Sequence, residues 1–305
     1  MEVVTELGEQ TGPSAVALGY FDGVHIAHAA VIRAMKEAEG IATVLTFRLG
    51  AQLPGSKAGM RPILTPEQRL ERLERLGVER VVIPPFEEIA AIPAEEFFRR
   101  VLVGQLHACA VVCGFDYSFG RGAEGTPELL GRLCREEGIG LTVVPPMEWE
   151  GEPVSSTRIR RLLEMGDLPG ANALLGYPYY VLGPVIHGRS LGRTLGFPTL
   201  NQQLRPEQAL PRFGVYNSRT EIEGIAYRSI TNIGVKPTIE GERLPLAETH
   251  LLDTEGDFYG KTARVSLLEM TRPERKFRDL QELQDTVQQD IARRRALCDD
   301  SVTFS

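Results

Sequence analysis

The chain is poor in several things that would set its class at once. Of its 305 residues one is tryptophan and four are cysteine (Cys109, Cys113, Cys134 and Cys298). So few thiols in so long a chain exclude a disulfide-stapled scaffold and fit a reducing compartment. No run approaches the roughly 18 apolar residues that read as a membrane span, and Met1–Pro13 has neither a basic leader nor an apolar stretch. The expected location is the cytoplasm. Basic charge is also short: 34 Lys+Arg stand against 41 Asp+Glu, a net charge of −7. That sign argues against nucleic acid or an anionic membrane as partner, while a local cluster of donors can still hold a small anion. The remaining balance, 42% hydrophobic and 25% charged, excludes a disordered or fibrous chain. At about 100–200 residues per domain, the length allows one or two.

The first half alternates short apolar runs with helical patterns. Ser14–Gly19, Ile41–Phe47, Val78–Pro84, Ala108–Gly114 and Gly140–Val144 are runs bounded by Gly or Pro. Between two of them, Thr65–Leu76 places Leu70, Leu73 and Leu76 on one face. Thr65 can cap that helix, Pro66 fits its first turn, and Gln68 completes a capping box. Near-continuous apolar strands separated by helices predict a doubly wound parallel sheet, with ligands beyond the carboxyl ends of its strands. This domain is expected to span residues 1–176.

From Tyr179 the texture changes. Tyr179–Ile186, Gly214–Arg219, Ile225–Ile233, Ala247–Leu252 and Ala263–Met270 read as strands separated by Gly and Pro, with almost no helical pattern between. That predicts an antiparallel barrel or sandwich over residues 177–305. One helix closes the chain, with Leu280, Leu283, Val287 and Ile291 on one stripe.

Chemistry-bearing residues fall into four segments. Gly19-Tyr20-Phe21-Asp22-Gly23-Val24-His25-Ile26-Ala27-His28 follows the first strand and opens a helix. Two histidines three apart at a helix N-terminus suit a phosphate; part of a zinc site, or plain solvation, are the alternatives. Ser155-Ser156-Thr157-Arg158 sets three hydroxyls and a guanidinium at another helix start, which is either a phosphate cradle or an ordinary N-cap. Gly183 to Asn201 holds Gly188, Gly192 and Gly196 with Arg189 and Arg193, which reads as a phosphate-binding loop or as turns. Within it Thr199 and Asn201 are neutral oxygen ligands for Mg²⁺ if a nucleotide supplies the charged ones. On a strand, Glu248 and His250 share a face and Thr249 and Leu251 take the other. A carboxylate facing inward could serve as base for a hydroxyl attacking a γ-phosphate; a solvent-facing edge residue is the plainer reading. Gly120-Arg121-Gly122-Ala123-Glu124-Gly125 matches G-x-G-x-x-G in form, but it starts too far beyond its strand to be a dinucleotide fingerprint.

Taken in order, Asp22-Gly23-Val24-His25-x-x-His28, Gly114-Phe115-Asp116-Tyr117-Ser118-Phe119-Gly120 and Ser155-Ser156-Thr157-Arg158 resemble the adenylyltransferase half of prokaryotic bifunctional riboflavin kinase/FAD synthetases. The second half is similar to the kinase half of the same family. The matching segments are His187-Gly188-x-x-x-Gly192-Arg193-x-Leu195-Gly196-Phe197-Pro198-Thr199-x-Asn201, Gly214-Val215-Tyr216, Asn232-Ile233-Gly234-x-x-Pro237-Thr238, Glu248-x-His250-Leu251-Leu252-Asp253, Asp257-x-Tyr259-Gly260 and Arg272-x-Glu274-x-Lys276-Phe277.

The resemblance implies a nucleotidyltransferase-like domain followed by a six-stranded barrel with a C-terminal helix. It implies phosphorylation of riboflavin to FMN by ATP with Mg²⁺, then adenylylation of FMN to FAD with release of pyrophosphate. It assigns His25, His28, Gly19, Phe21, Asp22, Gly23, Ser155, Ser156, Thr157 and Arg158 to the first domain's nucleotide, with imidazolium and guanidinium among the charges that cancel negative charge in transfer. Asp116 and Phe119 go to the flavin of that domain. In the second domain Gly183, His187, Gly188, Arg189, Gly192 and Arg193 go to ATP, Thr199 and Asn201 to the metal, Asn232 and Phe277 to the flavin. Glu248 is the base. A homo-oligomer is compatible with this reading.

The chain departs from the family pattern at Ala27, at Arg48-Leu49-Gly50, at Ala123 and Gly125-Thr126, and at Glu152-Pro153-Val154, where glycine or cationic and polar residues are usual. Leu200 stands for the usual alanine between the metal ligands, and alternation sends it away from them. Those departures keep open a kinase whose first domain only binds nucleotide or supports assembly. A non-enzymatic flavin- or nucleotide-binding regulator is a farther alternative, with Glu248 against it.

Overall fold

The computed structural model describes residues 1–48, 60–187, 197–237, 243–254 and 256–297. They divide into two compact units at Ser155/Ser156.

The first unit is built on a six-stranded parallel sheet: β1 (Glu2–Val4), β2 (Ser14–Leu18), β3 (Ile41–Leu45), β4 (Arg80–Val82), β5 (Ala108–Gly114) and β6 (Gly140–Val144), in the order β1-β4-β3-β2-β5-β6. The five expected strands are all present, and β1 adds an edge that its short polar-flanked sequence did not announce. Every residue of β2 is buried, as a strand covered on both faces requires. The helices are α1 (Ile26–Lys36), α2 (Pro66–Arg75), α3 (Phe86–Ala90), α4 (Ala94–Glu96, running on through the wide-turned segment Phe97–Gln105) and α5 (Pro127–Glu137). The capping box of α2 forms as expected: Thr65 Oγ1 accepts from Gln68 N, and Gln68 Oε1 accepts from Thr65 N at 2.8 Å. Phe97, Phe98, Val101 and Leu102 pack against Val16, Leu18 and Val111 to make the core on one face. Strand β2 lies between β3 and β5, so the chain order reverses there. This is the switch point at which such sheets bind ligands beyond their carboxyl ends. A two-strand hairpin, β7 (Glu148–Trp149) with β8 (Glu152–Pro153), ends the unit.

The second unit opens with α6 (Ser156–Met165) and α7 (Leu168–Leu175). The buried Asn172 of α7 donates to the Leu267 carbonyl at 2.9 Å and accepts from Tyr179 N at 2.7 Å. Those bonds tie α7 into the β-rich part, so the expected boundary at residue 176 falls inside this compact unit. Then come β9 (Tyr180–Pro184), β10 (Leu200–Gln203), β11 (Gly214–Ile222), β12 (Ile225–Pro237), β13 (Arg243–Leu251) and β14 (Thr262–Pro273). They pair antiparallel in the order β10-β13-β12-β11-β14-β9, and a bridge between Ile186 and Asn201 brings the two ends together into a nearly closed barrel.

The barrel interior is partly polar. Thr220, Ser229, Ser218, Thr231 and Thr249 form a chain of buried hydroxyls linked at 2.8–3.0 Å. A hydroxyl can both donate and accept, so Ser229, Ser218 and Thr231 each bond on both sides and Thr220 and Thr249 end the chain. Thr249 and Leu251 point inward with this set, and alternation therefore turns Glu248 and His250 to the outer face. The expectation of an inward carboxylate is corrected on this point.

The closing helix, α8 (Leu280–Ala296), is capped by Asp279, which accepts from Glu282 N. Its expected apolar stripe is only half used. Ile291 and Val287 pack with Ile230, Leu252 and Phe197, whereas Leu280 is 61% exposed. The buried face is completed by Thr286, Asp290 and Arg294, which carry polar bonds that an apolar count misses.

Candidate active sites

In the first unit, the carboxyl ends of β2 and β5 lie side by side, with Leu18 opposite Cys113. The chain leaves β2 through a tight turn in which Phe21, Gly23 and Val24 take φ values of 55°, 79° and 39°. For a β-branched residue such as Val24 this costs on the order of 1–3 kcal/mol, and strain of that kind is held where a site needs the geometry. The turn is braced from below: the buried Asp22 accepts from Ile63 N at 2.9 Å, and the Arg69 guanidinium donates to the Tyr20 and Phe47 carbonyls. Burial lowers the pKa of Arg69, partly offset by Tyr20 and Asp22.

The turn delivers His25 to the N-cap of α1, where its Nδ1 accepts from His28 N at 3.3 Å. The two imidazoles stack with centroids 3.6 Å apart, so both expected histidines do share one place at the helix N-terminus. Burial, and then the neighbouring His25, hold the His28 imidazole well below its ordinary 6.5. At neutral pH His28 is therefore uncharged. In the unliganded protein His28 therefore offers a neutral N–H donor where an imidazolium was expected, and the helix dipole supplies the favourable potential. His28 Nδ1 is buried with no hydrogen-bond partner.

Beyond β5, the exposed Asp116 folds back over the strand end. A Cβ on Gly114 would stand 3.2 Å from its Oδ1, so a larger residue there would push the carboxylate aside. Phe119 is placed differently from its expected flavin role. It is 5% exposed, packed against Phe97 and Tyr117, and pressed onto Gly125, whose Cβ would lie 2.6 Å from the ring. Its ring is core, and the exposed aromatic of this segment is Phe115. The same contact accounts for the G-x-G-x-x-G look-alike, in which Gly125 packs on Phe119 and Gly120 on Ala94. Ser155 ends the first unit. Ser156, Thr157 and Arg158 form the first turn of α6 in the second, with Thr157 exposed and Ser156 and Arg158 half-buried.

In the second unit the site is strand-borne. Asn201 of β10 and Asn232 of β12 lie directly opposite Glu248 of β13, one on each side. All three point to the outer face, and Asn232 Nδ2 donates to Glu248 Oε2 at 3.4 Å. Asn201 Nδ2 donates to the Thr199 carbonyl at 3.3 Å, a bond that engages the nitrogen of the amide and not its oxygen. Leu200 takes the other face and packs with Val185, Ile222, Leu251 and Ala263, as alternation requires. His187 stacks on Tyr259 at 3.8 Å, and Gly183 accepts from Gln202 at 2.9 Å. Gly188, Arg189, Gly192 and Arg193 lie outside the described residues. Glu274 reaches the same outer face: a Cβ on Gly234 would stand 2.7 Å from its Oε1. Phe277 follows, flanked by the guanidinium carbons of Arg272 and Arg275 at 5.5 and 5.0 Å.

The FAD synthetase family profile matches residues 8–158, and the riboflavin kinase profile matches residues 175–298. A bifunctional riboflavin kinase/FMN adenylyltransferase from Bacillus subtilis (strain 168) is 34% identical over 92% of this chain and 92% of its own length. The chain belongs to this bifunctional family. The protein of the same name from Escherichia coli (strain K12) is 34% identical over 90% of each chain. A solved structure of a macrolide-efflux protein from Streptococcus pneumoniae is 31% identical and superposes with a TM-score of 0.85 over 98% of this chain and 100% of that one. Among the described residues here, no helix is long and apolar enough to cross a membrane. The match of the first domain to the FAD synthetase profile supports the two-activity reading over a kinase alone. It does so although Ala27 and the missing cationic positions depart from the family pattern.

Three residues of the sites escaped sequence reasoning as site residues. Arg69 was one arginine in an amphipathic helix, and Glu274 and His250 stood only as members of matched segments, with no role of their own. His250 Nδ1 lies 2.9 Å from the Pro198 carbonyl and so pins the segment carrying Thr199.

Proposed function

We propose that the barrel unit transfers the γ-phosphoryl group of ATP to the 5′-hydroxyl of riboflavin and that the first domain joins the resulting FMN to AMP, giving FAD and pyrophosphate. The observation that carries the kinase reading is the Glu248 carboxylate set between Asn201 and Asn232 on one face of three adjacent strands. Glu248 accepts the hydroxyl proton as the oxygen attacks phosphorus, and Asn232 fixes which carboxylate oxygen is turned to the substrate. Thr199 and Asn201 suit Mg²⁺, since they offer hard neutral oxygens and leave the charged ligands to the nucleotide phosphates. Bound there, Mg²⁺ would neutralise charge on the transferring phosphate.

In the first domain, His25, His28 and the N-terminus of α1 receive nucleotide phosphates, and Asp116 borders the pocket at the end of β5. A phosphate beside His28 would favour its protonated form, so nucleotide binding draws a proton onto the imidazole. Ser156, Thr157 and Arg158 carry further nucleotide contacts by the family pattern. The three described cysteines are free thiols, in keeping with a cytoplasmic enzyme. The test is chromatography of products after supplying riboflavin, ATP and Mg²⁺. FMN followed by FAD with stoichiometric pyrophosphate is expected; FMN alone would leave only the kinase, and neither product would remove the proposal.

A further inference from the structure

The segment between β14 and α8 sets Glu274 against Gly234, on the face that bears Glu248, and Phe277, which the family pattern gives to the flavin, follows three residues on. One backbone bond, from Glu274 N to the Phe213 carbonyl at 3.3 Å, ties its start to the sheet, and polar contact with the closing helix holds the rest. Arg272 Nη2 and Nε lie 3.0 Å from Asp290 Oδ2, and the Asp290 side chain is only 7% exposed. The same guanidinium stands 5.5 Å from the centre of the Phe277 ring. Arg275 stands 5.0 Å from that ring and donates to Thr286 Oγ1 at 2.9 Å, with Glu282 at 3.6 Å. Both arginines next to the ring are thus anchored on α8. Thr286 is in turn bonded to the Glu282 carbonyl at 2.7 Å, so its hydroxyl is aimed at Arg275.

We propose that Asp290, through Arg272, is a positioning residue for the isoalloxazine ring of riboflavin: the closing helix sets the orientation of Phe277 and thereby the affinity for flavin. The inference rests on the kinase reading given above. A planar guanidinium fixed by a carboxylate presents a face to an aromatic ring, whereas one without a partner turns toward water. With Asp290 neutral, Arg272 swings out, Phe277 loses one flank, and the ring that borders the flavin is no longer held. Asp290 and Arg272 touch neither Glu248 nor the metal ligands proposed above, so the chemical step is left as it was.

The test compares Asp290→Asn, Asp290→Glu and Arg272→Lys in the full-length enzyme, by initial rates of FMN formation with riboflavin and ATP varied separately and by thermal unfolding of each variant. Asp290→Asn is expected to raise the KM for riboflavin about tenfold, with kcat and the KM for ATP within about twofold of the parent. Asp290→Glu restores most of the riboflavin KM. Because losing one partner of a buried ion pair can prevent folding, Arg272→Lys is the second probe: it keeps the charge but not the planar face, and it is expected to raise the same KM. Folded variants with an unchanged riboflavin KM overturn the proposal, as does an equal loss in kcat and in both KM values. Glu248→Gln is run beside them. If that variant turns over normally the kinase reading fails, and if it is dead while Asp290→Asn and Arg272→Lys behave as the parent only the present inference fails.

Discussion

The two sites are made by different means. In the barrel, Asn201, Glu248 and Asn232 are placed by strand register, so their mutual geometry follows from which residues pair and from alternation. In the parallel-sheet unit, the site lies past the strand ends, on a turn forced through positive φ at Phe21, Gly23 and Val24 and braced by Asp22 and Arg69. The barrel arrangement follows from pairing on both sides of β13. The other is precise only while its turn is held. The titratable groups differ as well: the barrel face carries the Glu248 side chain beside two amides, whereas the sheet unit buries the His28 imidazole, which burial and then His25 keep neutral at neutral pH.

The largest expected effect breaks one side of this comparison alone. Glu248→Gln keeps the bond geometry toward Asn232 but cannot take the proton, and FMN formation should fall by about 10³-fold or more while FAD formation from supplied FMN persists. Next, Thr199→Ala and Asn201→Ala should each lower kinase turnover by about 10²-fold, again sparing adenylyl transfer, as measured by product chromatography with each flavin in turn. Equal loss of both activities would show that the metal ligands are misassigned. On the other side, His28→Ala should reduce FAD formation from FMN by about 10²-fold and leave FMN formation from riboflavin intact.

A smaller effect sharpens the contrast in charge. In the folded protein His28 binds its proton only well below 6.5, whereas in the unfolded chain it does so near 6.5. Below about pH 6.5 the unfolded state therefore holds more protons, and stability falls as pH drops through that window. His28→Gln should remove this part of the acid sensitivity, seen as a smaller drop in Tm between pH 7.5 and 5.5. A drop equal to that of the parent would place the proton uptake elsewhere.

Strands and their contents were legible in the sequence because burial on both faces writes apolar runs and exposure on one writes alternation. Hence the five expected strands of the sheet, the capping box at Thr65 and Gln68, and the turning of Leu200 away from the Asn201 face all follow from the residues. The direction of the Glu248 face did not, because alternation says which residues share a face and not which face is inside. Here the interior is lined by Ser218, Ser229, Thr231 and Thr249, whose hydroxyls pair with one another and so look in sequence like a solvated surface. Phe119 was misjudged for a related reason: a glycine three-dimensionally opposite, Gly125, closes over its ring, and nothing local to the motif signals that contact. The charge on His28 was equally hidden, since it depends first on burial and then on the neighbouring imidazole stacked at 3.6 Å.

That the two sites act separately is tested most directly by mixing. Glu248→Gln and His28→Ala are each supplied with riboflavin, ATP and Mg²⁺, singly and then together, and the flavins are separated by chromatography. Separate sites predict no FMN or FAD from the first variant alone, FMN without FAD from the second, and FAD from the mixture. A mixture that still makes no FAD, from two variants that are each folded, would contradict the account.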